Sequence, residues 1–205
     1  MSLQQITIEV RKGSSADIAL RIESSTMRFA AITGMQNSAP LRVTAPNHGI
    51  FDMWHAAVID ATGMVELNAA DSNAIGESEF HQVTVVDANT LDFNGISSAG
   101  FSAYISGGHL AYYAPFDLSG YTSARMDIKR RVGGTIELAL NTTDGTLAID
   151  PATSTVWIHL SEAKLSTLVS REYVFDIELI RAGGIDAICS AESVFEVLPE
   201  VTTST

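Results

Sequence analysis

The residues that could do chemistry are thinly spread along this sequence. His48, Asp52 and His55 fall within one short stretch, and all three side-chain types ligate divalent metals. The spacing H-x-x-x-D-x-x-H is not a specific metal signature, however. The alternative, which we favour, places His48 in a turn and lets His55 follow Trp54 into a strand. We therefore predict no metal site.

Sequence motifs of catalytic sites are equally hard to find. Asp176 and Glu178 stand two residues apart, so they share one face of a strand. Paired carboxylates catalyse glycoside hydrolysis, but a solvated strand face or a partner contact explains this pair better. No G-x-S-x-G occurs, and Ser102 follows Gly100 without a second glycine. Glycine-rich nucleotide loops are absent from the sequence too. We predict no catalytic residue and no cofactor, and hence no enzyme.

Aromatic side chains offer the remaining candidate for a binding site. A carbohydrate- or receptor-binding surface would need exposed aromatics on one face, and Trp54, Tyr104, Tyr112 and Tyr113 are the candidates. Aromatics in small β domains are more often part of the core, so core packing is the competing interpretation. Cys189, the single cysteine, follows Ile188 in an apolar strand and is predicted to be buried.

The charge and composition of the chain argue against several classes of binding partner. The 205-residue chain has a formal net charge of −12, whereas nucleic-acid and anionic-membrane binding normally need a basic face. No apolar run approaches the ~20 residues of a membrane helix, and the N-terminus lacks the basic-then-apolar pattern of a signal peptide. One cysteine allows no intrachain disulfide. We expect a protein that is made and kept in a reducing cytoplasm.

Alternation of apolar and polar residues indicates strands with one buried face. The clearest runs are 6–10, 18–22, 125–129, 136–140, 156–160 and 173–179. Glycine- and aspartate-rich turns separate these runs, and this spacing is typical of a β-sandwich or barrel. We expect the first two runs to pair as a hairpin. One short helix, capped by Ser161 and spanning 161–168, should bridge two strands.

The middle of the chain has a less regular alternation of apolar and polar residues than the segments on either side. Its predicted strands are shorter and surround a polar loop at 68–78; they are 41–45, 56–61, 82–87, 90–93 and 103–105. This pattern indicates a small barrel. A two-stranded hairpin is not stable alone, and loop tips tolerate insertions. We therefore predict an outer domain of residues 1–26 plus 114–201, a guest domain at 27–113 and a flexible tail at 202–205.

Four segments of the outer domain carry a family resemblance. Residues 115–129 (PFDLSGYTSARMDIK) resemble a strand-and-turn signature common in phage and prophage tail proteins. A turn at 142–151, a strand at 173–179 (YVFDIEL) and a closing segment at 197–202 are similar to the continuation of that signature. With residues 6–23, they resemble the N-terminal domain of the siphophage baseplate upper protein. That domain is an Ig-like β-sandwich that anchors receptor-binding proteins.

The guest segment resembles a small β-barrel that recurs in phage structural proteins. The resemblance lies in 32–34 (ITG), 43–49 (VTAPNHG), 84–91 (TVVDANTL) and 98–101 (SAGF). Together the two resemblances imply an all-β chain, in which an Ig-like β-sandwich is interrupted by an inserted small β-barrel.

The implied function is that of a non-enzymatic virion protein of the tail, neck or baseplate, assembled in the cytoplasm of the bacterial host. Its expected partners are copies of itself and other phage tail, neck and fibre proteins. A baseplate upper protein continues with a long part that holds the receptor binder, whereas this sequence stops at Thr205. Capsid or tail decoration and carbohydrate or receptor binding therefore stay open as alternatives.

Overall fold

The computed structural model describes residues 6–189 and 193–200, and in this part the chain is nearly all-β. The predicted all-β, sandwich-type class is confirmed. The chain forms two compact units, of which the first is Met1–Glu23 with Pro115–Thr205 and the second is Ser24–Ala114. That the predicted domains, divided after residues 26 and 113, fold independently remains a proposal. The predicted tail at 202–205 lies outside the described residues.

The strands are numbered in chain order. They are β1 (Thr7–Arg11), β2 (Ala16–Arg21), β3 (Glu23–Ala31), β4 (Gly34–Gln36), β5 (Leu41–Thr44), β6 (His55–Thr62), β7 (His81–Asp87), β8 (Thr90–Phe93), β9 (Ser106–Pro115), β10 (Tyr121–Lys129), β11 (Ile136–Asn141), β12 (Leu147–Asp150), β13 (Thr155–Leu160), β14 (Glu172–Arg181), β15 (Gly184–Ala187) and β16 (Ser193–Leu198). A 3-10 helix spans Glu77–Glu79, and α1 spans Glu162–Ser166. No helix in the described residues is long and apolar enough to cross a membrane.

The first unit is built from two sheets. The larger sheet has the order β1-β16-β14-β10-β11, with β15 also paired to β14, and the smaller sheet has the order β12-β13-β2. Met126 and Phe175 of the larger sheet share one buried apolar cluster with Val156 and Ile158 of the smaller sheet. Since both sheets bury one face in this common core, the first unit is a β-sandwich.

The predicted hairpin over residues 6–23 is wrong. β1 pairs in parallel with β16, whereas β2 pairs antiparallel with β13, so the turn at Gly13 carries the chain from one sheet to the other. The Asp144-Gly145 turn does the same between β11 and β12. Alternation in a sequence shows which face of a strand is buried, but it does not show which strand lies beside it.

The predicted short helix is confirmed. The Ser161 side chain accepts a hydrogen bond from the Lys164 backbone N–H, which caps the first turn of α1. Leu165 is fully buried and anchors the helix to the core of the first unit. The helix connects β13 of the smaller sheet to β14 of the larger one.

The second unit contains one seven-stranded sheet with the order β3-β9-β6-β7-β8-β5-β4. A flat sheet of this width would separate its outer strands by about 29 Å. Only Ile32 and Thr33 join the outer strands β3 and β4, so the sheet must curve until its two edges approach. Trp54, Leu91 and Leu110 are fully buried in the cluster that this curvature forms. A closed barrel remains a prediction.

Four predicted strands of the second unit are confirmed as β5, β6, β7 and β8, but the strand predicted at 103–105 is wrong. The strand begins at Ser106 and runs through Gly107 and Gly108, although two adjacent glycines are typical of a turn. Gly108 has a φ of +83°, and a Cβ there would lie 2.8 Å from the Cα of Ala61. Glycine is therefore required by the close approach of β6 rather than by a turn.

The long loop of the second unit replaces a strand at one edge of β6. β7 pairs with β6 only at His55 and Ala56. Farther along β6, the Ala61 N–H donates to Asn68 Oδ1 at 3.0 Å, and Asn68 Nδ2 donates to the Ala61 carbonyl at 2.8 Å. The side-chain amide of Asn68 thus satisfies both backbone groups of a buried strand residue.

Candidate functional site

Two of the four predicted surface aromatics belong to the core. Trp54 has no exposed surface, and its Nε1–H donates to the Tyr113 carbonyl at 2.9 Å. Tyr112 is also buried, and its hydroxyl donates to the His48 carbonyl at 2.8 Å. The expectation that Trp54 and Tyr112 lie on an exposed face is therefore wrong, because the curved sheet places both side chains inside.

The other two aromatics are half-buried and have structural contacts. The Tyr104 hydroxyl lies 3.1 Å from the Ile32 carbonyl oxygen and 3.0 Å from that of Gly107. The Tyr113 ring stacks on Phe80 with a centroid separation of 5.5 Å. A ligand role for these residues stays a prediction, and the structure provides no common face for all four.

The three residues of the candidate metal motif lie in different places: His48 and Asp52 belong to the segment before β6, and His55 is the first residue of β6, in agreement with its predicted strand position. His48 is buried, its Nδ1 accepts the Ile50 N–H at 3.1 Å, and its Nε2 lies 3.0 Å from the Asp87 carbonyl oxygen. An Nε2–H tautomer satisfies both contacts, so both ring nitrogens are occupied. Asp52 accepts the Val85 N–H. Across the described residues, no three His, Cys, Asp or Glu side chains form a metal-binding group.

The candidate carboxylate pair lies on the outer face of β14. Asp176 and Glu178 are half-buried between fully buried neighbours, and Glu178 forms an ion pair with Arg125 of the adjacent strand. His159 is likewise directed outward, with 43% of its side chain exposed, and its ring stacks parallel to that of Trp157. Burial confirms the prediction for Cys189, and it raises the pKa of the thiol, which disfavours the thiolate.

The site that sequence reasoning missed is a groove at one end of the larger sheet of the first unit. Its volume is about 470 Å³, and it is lined by Arg130, Arg171, Glu172, Tyr173, Val174 and Val194. β10 and β14 are antiparallel and pair Lys129 with Val174, so the loop after β10 meets the loop before β14. The pairing of these strands therefore brings two distant arginines to one place.

The groove combines cationic and apolar walls. Arg130 Nε lies 2.7 Å from Glu137 Oε1, and both side chains keep much of their exposure to solvent. The guanidinium carbon of Arg171 lies 6.0 Å from the Tyr173 ring centroid. Guanidinium groups bind carboxylates through paired N–H donors, so this groove suits an acidic segment flanked by apolar side chains. The sequence signal was the basic triplet that begins at Lys129.

A second, smaller depression of about 330 Å³ lies beside α1 in the first unit. Its charged groups bind one another: His159 Nδ1 lies 2.6 Å from Asp17 Oδ1, and Lys164 Nζ lies 3.1 Å from Asp144 Oδ2. The Thr146 hydroxyl and the Lys164 ammonium lower the pKa of Asp144 to about 2. The contacts of Asp144 stabilise the turn between β11 and β12, and the contact of His159 with Asp17 joins β13 to β2.

No family model matches this chain, and no curated protein matches it.

Proposed function

We propose that this chain is a non-enzymatic structural protein of a bacteriophage virion. It acts in the tail, neck or baseplate, assembles symmetrically with copies of itself and anchors a fibre or receptor-binding protein. The observation that carries the proposal is the junction within the first unit, where the Phe116 N–H donates to the Ile22 carbonyl at 2.9 Å. Both ends of the chain thus contribute to one sandwich, and the residues between 22 and 116 leave and return at one point.

This organisation supports the proposal because it agrees with an anchoring sandwich that carries an inserted module, as the sequence resemblance implies. The buried Ser154 side chain reinforces the junction, since its hydroxyl lies 2.9 Å from the Ile22 carbonyl and contacts that of Phe116. A second buried cluster forms between these two points. Insertion at such a junction leaves the host sandwich complete.

The contacts of the reactive residue types also support a structural role. His48 holds a turn through both ring nitrogens, Cys189 is buried, and Glu178 is paired with Arg125. The receptor-binding alternative is weakened, because two of its four aromatics, Trp54 and Tyr112, lie in the core. Decoration of a tail or capsid remains the second candidate, since it uses the same stable sandwich without self-assembly.

The physical mechanism of the proposed function is burial of surface between copies. Specific interfaces usually bury ~1,200–2,000 Å² in total, and head-to-tail contacts that close produce rings. Among the described strands, β1 and β11 end the larger sheet, and outer edges of this kind are the surfaces proposed for contacts between copies. Several large apolar side chains are exposed, among them Phe29, Ile105, Val132, Val169 and Ile185.

The test is the absolute mass of the purified protein by light scattering at two concentrations. A ring-forming virion component should give a multimer whose mass is the same at both concentrations. A monomer at the 21.9 kDa chain mass under both conditions would contradict self-assembly and favour the decoration function.

A further inference from the structure

Basic side chains are concentrated at the groove end of the first unit. β10 ends there and β14 begins there, while β1 and β16 run in parallel and end there. Half of the chain's 12 Lys and Arg residues belong to the segments at this end: Arg11, Lys12, Lys129, Arg130, Arg131 and Arg171. Five acidic residues at the same end offset most of this charge: Asp127, Glu137, Glu172, Glu196 and Glu200. The six basic side chains still outnumber them, in a chain of net charge −12.

Exposed apolar side chains surround the same groove. Val132 is 62% exposed in the loop after β10, and Val169 is 59% exposed in the loop before β14. Ile136, also exposed, begins β11 and pairs with Lys129. We call Arg130, Val132, Ile136, Val169 and Arg171 the basic patch. Arginine is enriched at protein–protein interfaces, and contiguous exposed apolar side chains mark interaction sites.

The second unit presents a surface of opposite charge. No Lys or Arg occurs between Arg42 and Arg125, and Arg42 itself is held by both carboxylate oxygens of Asp92. Within this stretch, Val65 is 55% exposed and Ile105 is 71% exposed. Glu66 Oε1 accepts the Ser102 N–H at 2.7 Å and the Ser102 hydroxyl at 2.9 Å.

These contacts place Val65, Glu66 and Ile105 together, and we call them the acidic patch. The Ile105 N–H donates to the Thr62 carbonyl, which brings the segment before β9 against the segment after β6. The hydrogen bonds from Ser102 lower the pKa of Glu66, so its carboxylate stays ionised near neutral pH. The acidic patch therefore has apolar side chains beside a fixed negative charge.

We infer that the basic patch of one copy binds the acidic patch of a second copy. The inference rests on the proposed self-assembly and specifies its contact. The two patches match in charge and in apolar character, and they belong to different units, so the contact is head-to-tail rather than two-fold symmetric. Every copy retains one free patch of each kind until a ring closes.

The test uses two complementary blocked variants. The first variant, Arg130→Glu/Arg171→Glu, replaces the positive charges of the basic patch by negative ones. The second variant, Val65→Arg/Ile105→Arg, adds positive charges to the acidic patch. Each variant alone should have the 21.9 kDa mass of a monomer by light scattering. Mixed in equal amounts, they retain one intact basic patch and one intact acidic patch, so the mixture should reach at least the mass of a dimer.

The matched control is Arg28→Glu/Arg181→Glu, which makes the same change in net charge away from the basic patch. Arg181 is the last residue of β14 and therefore lies at the end of the strand away from the groove. Arg28 lies in the second unit. The control should keep the mass of the unmodified protein. Circular dichroism of all three variants should match the unmodified protein, because every substituted side chain is substantially exposed.

The possible outcomes test the head-to-tail contact separately from the proposed self-assembly. Multimers that persist in both blocked variants, or a mixture that gives no dimer, would overturn the head-to-tail contact while self-assembly stands. An unmodified protein that is monomeric at every concentration would overturn both. Raising the salt to about 1 M should shift the intact multimer toward monomer, because screening weakens contacts between exposed charges.

Discussion

The two units bury their apolar side chains in different ways. In β14 of the first unit, buried Tyr173, Phe175, Ile177 and Leu179 alternate with half-buried residues, because one face meets the core and the other faces outward. In β6 of the second unit, four consecutive residues from Ala56 are buried, so both faces are covered. β14 therefore shows its period in the sequence, whereas β6, which is covered on both faces, does not.

Charge distinguishes the units as well. Of the 12 Lys and Arg residues, only Arg28 and Arg42 belong to the second unit, and Arg42 is neutralised by Asp92. The first unit carries ion pairs on its sheet surface, such as Arg125 with Glu178 and Arg130 with Glu137. The first unit thus has surface charges of both signs, while the charged residues of the second unit are almost all acidic.

The largest expected effect comes from removing the second unit. Replacing residues 24–114 by a short glycine-containing turn should leave the first unit folded, because Ile22 and Phe116 are already hydrogen-bonded to each other. Calorimetry should show one cooperative transition in place of two, and near-UV circular dichroism should show fixed tertiary structure. A product that binds a hydrophobic dye and lacks near-UV signal would mean that the first unit needs the second to fold.

Core truncations should destabilise one unit at a time. Trp54→Ala and Phe175→Ala each remove a fully buried aromatic side chain and should lower the free energy of unfolding of their own unit by about 3–5 kcal/mol. Trp54→Ala also leaves the Tyr113 carbonyl without its indole donor. Denaturant unfolding measures the loss of free energy in each variant, and calorimetry should show that each variant shifts a different unfolding transition. Equal shifts of both transitions in either variant would show that the units unfold as one.

The Asn68 amide provides a test specific to the second unit. Asn68→Ala removes both partners of the buried Ala61 backbone and should cost about 1–3 kcal/mol. Asn68→Asp keeps the acceptor for the Ala61 N–H but places a carboxylate oxygen against the Ala61 carbonyl in place of the donor, so it tests the donated hydrogen bond separately. Urea unfolding measures both changes. The interpretation fails if the two substitutions are equally harmless, because the loop would then not complete the edge of β6.

The smallest effect concerns the sheet-switching turn of the first unit. Asp144→Asn keeps a side-chain acceptor for Thr146 but loses the charge that binds Lys164, and it should cost about 0.5 kcal/mol at neutral pH. The folded-state pKa of Asp144 is about 2, below its ordinary value of 3.8. The stabilisation is therefore complete above pH 4 and is lost as the pH falls through 2.

Urea unfolding at pH 7 and at pH 2 measures the difference between the Asp144→Asn variant and the unmodified protein. That difference should shrink toward zero at the lower pH, because Asp144 then approaches its protonated state in both the folded and unfolded chains. A difference that stays constant with pH would instead assign the cost to the altered shape of the turn.

Much of the first unit could be predicted because its signals are local. The runs around Met126, Val156 and Phe175 became strands with the expected faces buried, and Ser161 capped the expected helix. In the second unit, β9 was misplaced because Gly107 and Gly108 look like a turn in the sequence. Their role depends on how closely β6 passes, which is a contact between residues far apart in the chain.

The candidate site likewise combines features that the sequence predicts with features that only the tertiary structure shows. The sequence by itself determined the alternating faces of the strands, the excess negative charge and the basic triplet at Lys129, because these are properties of neighbouring residues. Only the tertiary structure decided that β1 pairs with β16, that Trp54 is buried and that Arg171 joins Arg130 at one groove. Strand pairing and burial depend on contacts between distant segments, and a period of two is compatible with many such pairings.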